Sequence, residues 1–117
     1  MKKRSIAAEK SFDFALKIID LYMKLRSRNE FELSRQLVRS GTSIGANVEE
    51  ALAGYSEKDF SAKMSISSKE ARETNYWLRL LDASPHFEFD IKQTIQDSEE
   101  LIRILTAIVK TTQAKSK

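Results

Sequence analysis

There is no cysteine in these 117 residues, only one proline, three glycines and a single histidine. Without thiols there are no disulfides, iron–sulfur clusters or thiolate zinc sites, and the chain suits a reducing cytoplasm. So few turn-forming residues exclude an all-β chain built on many tight turns. The lone histidine cannot furnish the two Glu-x-x-His pairs of a di-iron carboxylate bundle. It is His86, beside Pro85 in an expected loop, and it reads as solvated. No serine or threonine is placed with it in a recognisable nucleophile motif, and no glycine-rich loop follows a strand to cradle a phosphate. No apolar run approaches the roughly 20 residues needed to cross a bilayer. The basic start Met1-Lys2-Lys3-Arg4 runs into Glu9, Lys10 and Asp13, so neither a secretory leader nor membrane association is expected. That start and the end Lys115-Ser116-Lys117 read as frayed, solvated termini.

What is present suits one soluble globular domain spanning 1–117: 41% hydrophobic and 32% charged residues. The net charge of +3 and pI near 9.2 permit a nucleic-acid partner without requiring one.

The chain is organised around LSRQLVRSGTSIGANVEEALAGY, residues 33–55, where Leu33, Leu37, Ile44, Val48 and Leu52 recur at helical spacing. Its middle is built from Ser40, Gly41, Thr42, Ser43, Gly45 and Ala46. A helix-interior glycine costs about 1 kcal/mol relative to alanine, so two of them imply close approach by another helix or subunit. Asn29, with Glu32 three residues on, is expected to cap this helix, and Gly54 to end it. Upstream, a first helix should start between Ser5 and Ser11 and run to about Arg26. It carries two apolar stripes, Phe12, Ala15, Leu16, Ile19 with Tyr22 or Met23, and Phe14, Ile18, Leu21, Leu25. Either they form one wide core-facing arc, or one of them meets another subunit. Asp13–Lys17 and Asp20–Lys24 have i,i+4 spacing.

A third helix, capped by Ser56, carries Phe60, Met64, Ser67, Ala71, Thr74, Leu78 and Leu81 in four-three alternation and stops before Pro85. Its small middle matches that of the second helix, so the two are expected to pack closely there. A fourth follows Asp90 with Ile91, Ile95, Ser98, Ile102, Leu105, Val109 and Thr112, widened by Leu101, Ile104 and Ile108. Four long helices with short links imply an all-α, antiparallel up-down-up-down four-helix bundle. Phe14, Ile18, Ile66, Tyr76, Trp77 and Leu80 exceed one core and are expected to form an oligomer interface.

Two groups of charges offer chemistry. Glu49, Glu50, Glu70 and Glu73 could gather as a carboxylate cluster for metal binding or acid–base work, or be spent in ion pairs such as Lys69–Glu73. Arg35, Arg39, Lys63 and Arg72 are the candidate nucleic-acid contacts; diluted by acids in one subunit, they would add up around a symmetric ring. A non-enzymatic, cofactor-free scaffold or adaptor is the favoured function, with the carboxylate bundle as the alternative.

The run Leu37-Val38-Arg39-Ser40-Gly41-Thr42-Ser43-Ile44-Gly45-Ala46-Asn47-Val48-Glu49-Glu50-Ala51 resembles the signature of the small four helix bundle protein family, also called ribosomal-RNA intervening-sequence proteins. Asp59-Phe60, Met64-Ser65-Ile66-Ser67 and Lys69-Glu70-Ala71-Arg72-Glu73-Thr74-Asn75-Tyr76-Trp77-Leu78 are similar to one branch of it. The resemblance implies a bundle that assembles as a ring-like homopentamer. It further implies possible partners in RNA or DNA, or in a reverse transcriptase, as for the related accessory proteins of diversity-generating retroelements. It marks Asn47, Glu50, Glu70 and Glu73 as motif positions without a catalytic role. Val38-Arg39 stands where many members have two basic residues, which implies a weaker basic surface here.

Overall fold

The computed structural model describes residues 5–115; the termini read above as frayed, residues 1–4 and 116–117, lie outside the described residues. Four helices make up nearly all of it: α1 (Ile6–Ser27), α2 (Glu32–Leu52), α3 (Glu57–Ala83) and α4 (Lys92–Lys115). Each consecutive pair packs together, α1 also meets α4, and among the described residues the backbones of the diagonal pairs do not approach one another. The links are four, four and eight residues long (28–31, 53–56 and 84–91). A four-residue link spans at most about 14 Å, less than half of an α2-length helix at about 1.5 Å per residue. The two four-residue links therefore force α1, α2 and α3 to alternate in direction, and the side-chain contacts show the same for α3 and α4. Ser40, Ile44 and Glu50 of α2 meet Thr74, Ser67 and Lys63 of α3. Arg72, Asn75 and Asp82 of α3 meet Thr106, Ser98 and Lys92 of α4. Lys10 and Lys17 of α1 meet Glu100 and Asp97 of α4. The result is an up-down-up-down four-helix bundle.

The helix ends show where local chemistry departs from expectation. Ser5 caps α1 by accepting from Ala8 N at 3.1 Å, and Ser56 caps α3 by accepting from Asp59 N at 3.0 Å. α3 stops at Ala83, two residues before Pro85. Asn29, however, closes α1 and does not open α2. It sits in the left-handed region at φ 63°, its N–H reaches Arg26 O at 2.9 Å and the Glu30 N–H reaches Leu25 O at 3.0 Å. That is the double hydrogen-bond pattern of a left-handed helix terminus, which asparagine tolerates better than most residues. The Glu30 carboxylate then accepts from Leu33 N at 2.7 Å and does the capping expected of Asn29. Gly54 is not a left-handed cap either: α2 ends at Ala53 in right-handed geometry. A Cβ at Gly54 would run into the Asp59 carboxylate, so the glycine supplies room there.

The core is small in the middle and apolar towards the ends. Phe14, Ile18, Leu21 and Leu25 of α1 are buried with Leu37, Ile44, Val48, Met64, Leu78, Leu81, Leu101 and Leu105. The small middles of α2 and α3 pack closely as expected, while the two α2 glycines themselves face α1. A Cβ on Gly41 would lie 2.7 Å from Ile18 Cγ2, and one on Gly45 would lie 3.2 Å from Ser11 Oγ. The seam with α3 is closed by hydroxyls: Ser67 Oγ donates to Ile44 O at 2.8 Å, and the Ser40 and Thr74 hydroxyls lie 2.8 Å apart. Asn75 donates to Ser98 Oγ at 2.9 Å across the α3–α4 seam. Among the described residues no buried side-chain polar atom is left without a partner, as native cores require.

Candidate functional site

Helical periodicity puts two surplus apolar faces on the outside of the bundle. On α1, Phe12, Leu16, Ile19 and Met23 follow one another at gaps of four, three and four, and are 43–63% exposed. Phe14 and Ile18, expected at an oligomer interface, belong instead to the stripe that faces inward and are buried within the subunit. On α3, Ile66, Tyr76 and Leu80 are 40–47% exposed, with the Tyr76 ring set edge-on to half-buried Trp77 at 5.4 Å. α1 and α3 lie on opposite corners of the bundle, so these are two separate faces.

The charged residues sort by helix face. In Lys69-Glu70-Ala71-Arg72-Glu73, the acids at 70 and 73 lie on one flank and the bases at 69 and 72 on the other. Both glutamates turn towards α2, where Arg39 bonds Glu70 at 3.1 Å and also bonds Glu73. The Trp77 indole N–H donates to the same Glu73 oxygen at 3.0 Å. Burial raises the Glu73 pKa, but the bonds from Trp77 and Arg39 outweigh it and hold the carboxyl below its ordinary value. Arg39 is raised, chiefly by the bond to Glu73. Lys63 pairs with Glu50 at 2.9 Å and is likewise raised, while Arg35 sits 3.6 Å from Glu32. Three of the four expected nucleic-acid contacts are thus matched by acids on their own subunit. The four glutamates do not converge. Among the described residues no group of three or more histidine, aspartate or glutamate side chains has metal-binding geometry.

On the other flank of α3 the balance is different. An open cleft of about 280 Å³ between α3 and α4 is lined by Lys69, Arg72 and Lys110, with the hydroxyls of Ser65, Ser68 and Thr106. No carboxylate lines it. Arg72 reaches across to Thr106 Oγ1 at 3.2 Å, and among the described residues none of the three cations is paired with an acid.

The sequence profile of the 23S rRNA-intervening sequence proteins matches residues 3–107. The chain belongs to that family. Among solved structures, a protein of unknown function from the S23 ribosomal protein family of Bacteroides thetaiotaomicron is similar to it. The two share 41% identity at a TM-score of 0.85, over 90% of this chain and 99% of that one. No curated protein matches.

Within this family's pattern, the marked positions take structural parts in the bundle. Asn47 donates to the Ser43 carbonyl of its own helix at 2.8 Å, Glu50 holds Lys63, and Glu70 and Glu73 hold Arg39. Sequence reading missed the outward assignment of Phe12, Leu16, Ile19 and Met23, and missed Lys110 altogether. The first was recoverable: Ser11 and Ile18 share a stripe with Phe14, and only that stripe mates with the glycines of α2. The second needs the α3–α4 register, which no local pattern announces.

Proposed function

We propose that this chain is a non-enzymatic scaffold or adaptor that assembles from identical copies and serves RNA, DNA or a nucleic-acid enzyme. One observation supports assembly above all: two different apolar faces stand on diagonally opposed helices. A two-fold dimer uses one patch twice and would leave the other bare. A head-to-tail contact, the α1 face of one copy on the α3 face of the next, covers both, and closes into a ring where the rotation between copies divides the circle. Burying the exposed part of each large side chain would contribute on the order of 1 kcal/mol. Charges suit that pairing, since Asp13 and Asp20 border the α1 stripe and Arg79 lies over the Tyr76 ring at 5.8 Å. The family resemblance implies five copies. What favours a nucleic-acid partner is charge: five copies at +3 would carry about +15 on one particle.

The test uses one lesion in each face. Leu16→Glu and Leu80→Glu should each prevent ring closure in native mass spectrometry. Mixed together they should form a one-to-one heterodimer, because each retains the face that the other lacks. If Leu80→Glu alone still gave a complete oligomer, the head-to-tail arrangement would be wrong.

A further inference from the structure

We infer that the α3–α4 cleft bearing Lys69, Arg72 and Lys110 is where the backbone phosphates of a nucleic acid bind. This rests on the nucleic-acid part of the proposed function and replaces the Arg35, Arg39 and Lys63 set with a different surface. The charge accounting separates the two. A cation already hydrogen-bonded to a carboxylate must give up that partner to meet a phosphate, and most of the gain is cancelled. Arg39 would leave two glutamates behind and Lys63 one. Lys69, Arg72 and Lys110 have no such debt, and no acid lines the cleft to repel an incoming anion.

The donor set also fits a phosphodiester. The cations supply charge, and the Ser65, Ser68 and Thr106 hydroxyls supply the neutral donors that commonly meet phosphate oxygens. Arg72 has only a neutral hydroxyl, Thr106, to release, so its guanidinium is available for a forked contact with two oxygens. From Ser65 to Arg72 the lining runs two turns along α3, about 10 Å, enough to meet more than one phosphate of a passing strand. The cleft is open along its length and offers no enclosed pocket, which favours a continuing strand over a small phosphate. Nothing in the lining presents a base-reading constellation, so binding should tolerate any sequence.

Fluorescence anisotropy with labelled mixed-sequence RNA and DNA strands tests this on the full chain. Wild type should bind at about 50 mM salt and lose affinity steeply towards about 200 mM. The triple variant Lys69→Gln, Arg72→Gln, Lys110→Gln should bind about tenfold or more weakly, with a salt slope shallower by about two to three. A control that removes the same charge from elsewhere, Lys24→Gln, Arg26→Gln, Arg28→Gln, should bind as wild type does. Circular dichroism establishes that each variant is folded; Lys69 also lies between Ile66 and Tyr76 on the α3 face, so Arg72→Gln with Lys110→Gln replaces the triple variant where Lys69→Gln alters oligomer size. Lys110→Gln alone, at an exposed position without an acidic partner among the described residues, serves if the triple variant does not fold, and should still weaken binding measurably. An equal loss in triple variant and control would overturn the cleft in favour of diffuse charge. Undiminished binding by the cleft variant would also overturn it, while leaving nucleic acid as partner. Failure of wild type to bind either strand at low salt would overturn both the cleft and the nucleic-acid reading, leaving a protein-only adaptor.

Discussion

Glu73 is a residue whose protonation is tied to the fold. Its carboxylate accepts from Trp77 on its own helix and from Arg39 on α2, so it fastens the α2–α3 seam at a point where both donors converge. Burial favours the neutral acid, yet the two donors prevail and the folded pKa falls below the ordinary 4.5. For a depressed carboxyl, the stabilisation is fully present above the unfolded value and is lost as pH falls through the folded one. Acidification below about pH 4.5 should therefore lower the melting temperature and shift the emission of Trp77, the chain's one tryptophan. Asp97 is depressed in the same direction: burial raises it, but bonds from Lys17 and Gln93 prevail. Part of the stability loss will therefore survive in Glu73→Gln, whereas the tryptophan shift should vanish. A Trp77 shift of unchanged size in that variant would show that the indole does not report on Glu73.

At the scale of elements, the spacing of α1 from α2 is set by Gly41 against Ile18. Helix propensity alone says that Gly41→Ala should stabilise by about 1 kcal/mol. The new methyl, however, would lie 2.7 Å from Ile18 Cγ2 and 2.9 Å from Cγ1, on a fully buried, β-branched side chain with little rotamer freedom. Overpacking of about 1–3 kcal/mol should win, giving a net destabilisation in urea titration. Ile18→Ala, which removes both γ carbons, should cost less in the Gly41→Ala chain than in the wild type, and strictly additive effects would argue against direct contact. This seam also shows what the sequence could and could not reveal. The four-three stripes of α3 and α4 were legible because each has one apolar arc, and the small middle of α2 announced a close neighbour. The close α2–α3 seam was legible from the matching small middles; that the glycines also admit α1, and which of its two stripes faces them, was not. Both stripes have the same period, and periodicity carries no information about partners. The same limit explains the charges. Lys69–Glu73 has ideal i,i+4 spacing, yet Glu73 goes to an arginine 34 residues away, and Lys69 is left for the cleft.

For the whole molecule, assembly and nucleic-acid binding should respond to salt in opposite ways. The proposed ring contact is mostly apolar, through Phe12, Leu16, Ile19 and Met23 on one side and Ile66, Tyr76 and Leu80 on the other. Apolar association is not screened by ions. Charge enters chiefly as repulsion among like subunits of net +3 each, since Asp13, Asp20 and Arg79 lie at the borders of the faces. Raising salt from about 0.1 M to about 1 M shortens the screening length from about 10 Å to about 3 Å, which weakens that repulsion most. Sedimentation velocity should therefore show the oligomer unchanged or tighter at high salt. Over the same range the phosphate contacts of the α3–α4 cleft should be lost, because each one releases counterions. Dissociation of the oligomer at high salt would mean that the border charges, rather than the apolar stripes, hold the copies together. Leu16→Glu would then be the wrong lesion, and charge reversal at Arg79 the right one.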